Sequence, residues 1–193
     1  MSTNKFFHKY RIESNRLKNY DYSQSGAFFI TICTKDKADY FGRITEDEVQ
    51  LTRIGEVAKE YWLKIPEYHP YVILDQFIIM PNHIHGILII DKFEELRNLE
   101  TTGLNEVNSV LSNLEYKNKF GPQSRNLASL IRGYKASVKA FAQKHQIDFE
   151  WQRNYYDRII RDYKEFERIQ EYILNNPAKW FWEKEHFIEN LKI

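Results

Sequence analysis

The chain has 193 residues, 42% of them apolar and 16% aromatic, which is enough to bury one core, while 28 Lys+Arg and 27 Asp+Glu nearly cancel. That balance excludes a chain that is basic throughout, so any nucleic-acid surface has to be local. No stretch approaches the roughly 18 uninterrupted apolar residues of a spanning helix, and the start lacks an apolar leader, so a soluble, cytoplasmic, one-domain protein with no membrane partner is expected.

Residues 1–25 read as a basic N-terminal arm, with Arg11, Arg16 and Lys18 among Asn, Ser and Tyr. They lead into a β-rich run, Ala27 to Thr34. The single cysteine, Cys33, can form no intramolecular disulfide and reads as a buried strand position without a catalytic role. Between Leu51 and Ile65, Ile54, Val57, Ala58, Tyr61, Trp62 and Ile65 recur at helical spacing until Pro66 stops the pattern. Two β-rich runs, Tyr71 to Met80 and His83 to Asp91, follow with only Pro81 and Asn82 between them, which predicts an antiparallel hairpin.

Residues 92–124 are polar and Asn-rich with weak periodicity and read as a long surface insertion. Leu127, Leu130, Ile131, Tyr134, Val138, Phe141 and Ala142 then form a second helical stripe, with Lys135 and Lys139 expected on its wet face. A short run from Ile147 to Trp151 suggests an edge strand. A last helix is expected from Asp162, which stands three residues before Glu165 as in a capping box, with Asn175-Asn176-Pro177 as its stop. This order predicts an α+β, ferredoxin-like (RRM-like) antiparallel sheet with helices packed on one face, leaving the other face for a site.

The stretch Met80-Pro81-Asn82-His83-Ile84-His85-Gly86 carries the chemistry. On a strand His83 and His85 project to one side, their Cβ atoms about 7 Å apart, close enough to share a divalent ion. Gly86 would let a backbone or ligand approach. On the last helix Tyr172 and Asn176 stand four residues apart and flank the stripe Phe166, Ile169, Ile173. A phenol titrates near pH ~10, so a metal ion that polarises its target is what would make it a useful nucleophile.

Together, His83-Ile84-His85, Trp151-Gln152-Arg153, Asp157-Arg158-Ile159-Ile160-Arg161 and Tyr172-Ile173-Leu174-Asn175-Asn176-Pro177 resemble the REP-associated tyrosine transposases, IS200/IS605-like members of the single-tyrosine HUH class. The resemblance extends to Arg16-Leu17-Lys18-Asn19-Tyr20-Asp21-Tyr22-Ser23 and Phe29-Ile30-Thr31-Ile32-Cys33-Thr34. It implies one nuclease domain over 26–193, with His83, His85 and Asn176 on Mg²⁺ or Mn²⁺, Asn176 standing where the family commonly has Gln. It also implies that Tyr172 attacks single-stranded or hairpin DNA to leave a 5′-phosphotyrosine, in an enzyme that is a monomer or a homodimer.

Tyr155 and Tyr156 are rival nucleophiles in a segment where Trp151, Arg153, Arg158 and Arg161 could stack bases and pair with phosphates, as could Arg16 and Lys18. Two other readings stay open. One is a non-catalytic nucleic-acid-binding protein on the same fold; the other is a metal-dependent hydrolase with Asp75 as its base.

Overall fold

The computed structural model describes residues 25–45, 48–91 and 125–180, so the N-terminal arm with Arg11, Arg16 and Lys18, and the 92–124 insertion, lie outside the described residues. Its strands are β1 (Gly26–Cys33), β2 (Gly42–Thr45), β3 (Glu48–Leu51), β4 (Val72–Met80), β5 (His83–Ile90) and β6 (Tyr156–Ile160). Its helices are α1 (Arg53–Leu63), the single turn α2 (Ile65–Tyr68), α3 (Leu127–Lys144) and α4 (Tyr163–Leu174).

Strands β4, β5, β1 and β6 lie side by side in that order, every neighbouring pair antiparallel. With α1 between β1 and β4 and α3 between β5 and β6, this is the ferredoxin-like arrangement, and the expected α+β class holds. Pleating then sorts the side chains. Phe28, Ile30 and Ile32 of β1 and Ile84, Leu88 and Ile90 of β5 face one way, into a core with Ile54, Ala58 and Trp62 of α1 and Leu130, Ile131 and Val138 of α3. Each fully buried Phe, Ile, Leu or Val among them contributes roughly 1.5–3 kcal/mol of hydrophobic stabilisation.

The expectation that all helices share one face is corrected for the last of them. α4 lays Ile169 and Ile173 on the opposite face, against Ile87, Ile160, Phe29 and Ile89. Its stripe of Phe166, Ile169 and Ile173 needs an apolar partner, and the alternate positions of the same strands supply one. β4 carries a bulge between Leu74 and Phe77, and Asp75 beside it accepts a hydrogen bond from Gln170 Nε2 of α4 at 2.6 Å. Asp75 is thereby committed to holding α4.

Local chemistry explains the ends of the elements. Thr52 caps α1 by accepting from the Gly55 N–H at 3.2 Å, and Pro66 sits in the first turn of α2, where its missing N–H is not needed. Asn126 and Ser129 form a reciprocal capping box on α3. Asp162 caps α4 through the Glu165 N–H at 2.8 Å, but the Glu165 carboxylate reaches back to the Arg161 N–H, one residue short of a true box. Asn175 breaks α4 as expected, yet the backbone becomes helical again over 176–180.

The structure adds one element and corrects further expectations. The hairpin β2–β3 stands outside the predicted elements, because its strands are only four residues long, too short for a periodic signal. The run Ile147 to Trp151 forms no strand beyond a single antiparallel bridge from Trp151 to Thr34; Phe149 and Trp151 plug the end of the core against Phe41, and the place along β1 goes to β6. Lys135 and Lys139 are not on a wet face either. Lys135 Nζ donates to the carbonyls of Gln152, Arg153 and Asn154 at 2.6, 3.4 and 3.2 Å, and Lys139 Nζ to that of Phe149 at 2.6 Å, pinning the 149–154 connection. Burial pushes the Lys135 amine down to about 8, with Cys33 opposing.

Candidate metal and nucleophile site

The face covered by α4 carries the site, and strand register decides what meets there. His85 pairs with Thr31 and Thr31 with Tyr156, so these three form one row across β5, β1 and β6; His83 pairs with Cys33 one row away. The His83 and His85 ring centroids are 4.4 Å apart. Phe29, in the neighbouring row, lies against His85 at 5.2 Å and meets Tyr172 edge-on at 6.0 Å.

Helix α4 delivers the other residues. Tyr172 Oη lies 3.4 Å from His85 Nε2, and the Asn176 side chain hydrogen-bonds to His83. Tyr172 remains 41% exposed while Asn176 is only 6% exposed. The pair predicted to share a helix face therefore does reach both histidines, although a break at Asn175 separates them. The turn that follows adds two residues that the sequence reading missed: Trp180, whose ring lies 5.6 Å from that of His83, and Lys179, whose ammonium is 5.8 Å from the Tyr172 ring centroid. A basic residue and an aromatic one just past Asn-Asn-Pro were the only signal in the sequence.

Each imidazole has one nitrogen engaged on the protein side. His83 Nδ1 is 2.8 Å from Asn82 Oδ1, and His85 Nδ1 is 2.9 Å from Thr31 Oγ1. Burial pushes His83 down to about 4, assisted by the Lys37 charge and opposed by the hydrogen bond to Asn176. His85 is pushed down to about 3 by burial and by His83, against a hydrogen bond with the Ile30 backbone. Both rings are therefore neutral at pH 7, the form that ligates metals.

Among the described residues no group of three or more His, Cys, Asp or Glu side chains is placed to hold a metal. The available set is two imidazoles and the Asn176 amide. That set fits a divalent ion such as Mn²⁺ or Mg²⁺ with coordination positions left for substrate oxygens, and the outer hydrogen bonds on Nδ1 are of the kind that orient ligating histidines.

The remaining predicted residues divide by face. Tyr155 packs against the main core, away from the histidines, whereas Tyr156 shares their face, 48% exposed, with Gln152 Nε2 3.5 Å from its hydroxyl. Trp151 packs into the core end and donates from Nε1 to the Lys135 carbonyl at 3.0 Å, so its ring is not presented to solvent as a stacking platform. Arg153, Arg158 and Arg161 are exposed; Arg158 donates to Glu165 at 2.6 Å, and Arg158 and Arg161 line a groove of about 840 Å³ along β6 and the start of α4. Cys33 is half-buried on the site face, its thiol pushed up by burial. Gly86 faces the other way: a Cβ there would stand 2.4 Å from Trp62 Cζ2, so the glycine admits a core indole and not a ligand.

The arrangement of sheet and helices has a counterpart among solved structures. A solved structure of a REP-associated tyrosine transposase bound to a REP hairpin matches it with a TM-score of 0.54 and 16% identity, over 88% of this chain and 76% of that one. No family model matches the chain. An uncharacterized protein of Haemophilus influenzae is 41% identical over 172 residues, spanning 86% of this chain and 88% of its own length, and the chain belongs to the family of that protein. Among the described residues no helix is long and apolar enough to cross a membrane.

Proposed function

We propose that this protein cuts and rejoins single-stranded or hairpin DNA, with Tyr172 as the nucleophile and His83, His85 and Asn176 as the ligands of a Mg²⁺ or Mn²⁺ ion. The observation that carries the reading is the 3.4 Å approach of Tyr172 Oη to His85 Nε2, made by residues 87 positions apart in the chain. Tyr156 is one strand further from His85, beyond Thr31, and Tyr155 lies on the other face.

In this reading the Tyr172 oxygen attacks the scissile phosphorus. The new bond joins that oxygen to phosphorus, the bond from phosphorus to the 3′-oxygen breaks, the phenolic proton passes to water, and the departing oxygen takes one up as a 3′-hydroxyl. Rejoining is the reverse attack. When bound, the divalent ion supplies positive charge to the phosphate oxygens. Lys179, over the Tyr172 ring, adds a second positive charge where the phosphate arrives. Asn176 and His83 hold each other, and Phe29 orients the phenol from the sheet. Exposed Arg153 and Tyr156, with Arg161 in the groove along β6 and Arg158 where it can leave Glu165, would supply phosphate and base contacts. The likeness in fold to a transposase solved with a bound REP hairpin supports a hairpin as the substrate.

The test is incubation of the full chain with labelled single-stranded hairpin oligonucleotides and Mn²⁺, resolved on a denaturing gel. A covalent protein–DNA band lost in Tyr172→Phe and retained in Tyr156→Phe is expected. A band that survives Tyr172→Phe removes Tyr172 as nucleophile; metal-independent binding without any band supports a non-catalytic DNA-binding protein.

A further inference from the structure

Asn82 is 7% exposed, and its amide and carbonyl are all engaged. Its carbonyl accepts from the Thr34 N–H and faces the Thr34 hydroxyl, both at 2.9 Å; its Nδ2 donates to the Lys37 carbonyl at 3.0 Å; its Oδ1 lies 2.8 Å from His83 Nδ1. A chain of obligate roles follows. The Lys37 carbonyl can only accept, so the atom of the Asn82 amide that faces it must be the NH₂ group. The atom facing His83 is therefore the amide oxygen, which also can only accept, and the proton between them belongs to His83 Nδ1. In a neutral ring, Nε2 then carries no proton.

We infer that Asn82 is the positioning residue of this site: it locks His83 as the Nδ1–H tautomer and presents the Nε2 lone pair to the ion. The backbone that supplies the anchoring carbonyl is itself unusual. Asp36 and Lys37 have φ of 54° and 53°, a left-handed conformation that non-glycine residues seldom adopt and that persists only where its surroundings hold it. Here the loop is held at both ends, by the Ala38 N–H to the Lys35 carbonyl at 3.1 Å and by the Thr34 hydroxyl facing the Ala38 carbonyl at 2.8 Å. The strained turn thus aims one carbonyl at one amide, and the amide sets one imidazole.

The assignment deepens the metal reading of His83, and its test does not depend on DNA cleavage. Long-range proton–nitrogen correlation spectra of the metal-free, ¹⁵N-histidine-labelled full chain report the tautomer directly. His83 protonated on Nδ1 in the wild type is expected, the same in Asn82→Asp, which keeps an acceptor, and in Lys37→Gly, which keeps the backbone carbonyl. Asn82→Leu is expected to show a mixed or Nε2–H ring, together with a Mn²⁺ affinity about 10–100-fold weaker by electron paramagnetic resonance titration. An Nε2–H ring in the wild type, or a folded Asn82→Leu protein with the wild-type tautomer and affinity, overturns the inference; should the leucine variant not fold, the wild-type and aspartate spectra decide it. A wild-type Nδ1–H ring in a protein that binds no Mn²⁺ would instead leave Asn82 in its role and remove the metal reading of the site.

Discussion

Gly86→Ala separates core packing from ligand chemistry within the His-x-His-Gly stretch. The added Cβ would lie 2.4 Å from Trp62 Cζ2 and 3.1 Å from both Trp62 Cε2 and Phe77 Cβ. Trp62 is fully buried between the sheet and Tyr134, whose ring is 5.3 Å away, and so has no free space to retreat into. Overpacking of this kind costs about 1–3 kcal/mol, and the rigid ring argues for the upper half, about 2–3 kcal/mol. For a chain of this size that lowers Tm by roughly 4–12 °C. The assay is thermal and urea unfolding of Gly86→Ala, Trp62→Phe and the double variant. Trp62→Phe removes the ring atoms that meet the new methyl, so the double variant should be more stable than the sum of the singles by about 1 kcal/mol or more. Additive losses, or a Gly86→Ala protein of wild-type stability that no longer binds Mn²⁺, would refute the assignment of Gly86 to the core.

Three other outcomes follow from the same geometry. The folded-state values of about 4 for His83 and about 3 for His85 lie below the ordinary 6.5, so from about pH 6.5 downward the unfolded chain takes up protons that the native rings refuse. Stability of the metal-free protein should therefore fall as pH drops toward about 4, by up to about 1.4 kcal/mol per pH unit for each ring; urea midpoints should fall less steeply in His85→Gln, and equal slopes would contradict buried neutral imidazoles. Lys135→Met removes a donor shared by three carbonyls and should cost about 1–3 kcal/mol, with faster amide exchange over 149–154 and none in α4; unchanged exchange in that connection would show that Lys135 does not hold it. Asp162→Ala should cost about 1 kcal/mol through loss of the α4 cap, seen as earlier exchange of the first turn of α4, and an unaltered first turn would mean that Glu165 alone secures it.

Periodicity located β1, β4, β5, α1, α3 and α4 to within a few residues, because each buries a face whose spacing is written in apolar residues: Phe28, Ile30 and Ile32 on a strand, Ile169 and Ile173 on a helix. The alternation of His83 and His85, and the four-residue step from Tyr172 to Asn176, were legible for the same reason. Both are distances along one element, and local geometry sets them. What no local pattern contains is which element lies over which. That α4 crosses the opposite face from α1 and α3, that β6 pairs along β1 while the 147–151 run makes only an isolated bridge from Trp151 to Thr34, and that Gly86 answers to Trp62 are decided by long-range packing and register. So too is the orientation of His83, since the Lys37 carbonyl that fixes the Asn82 amide lies 45 residues upstream of Asn82, and only the folded loop brings them within hydrogen-bond reach.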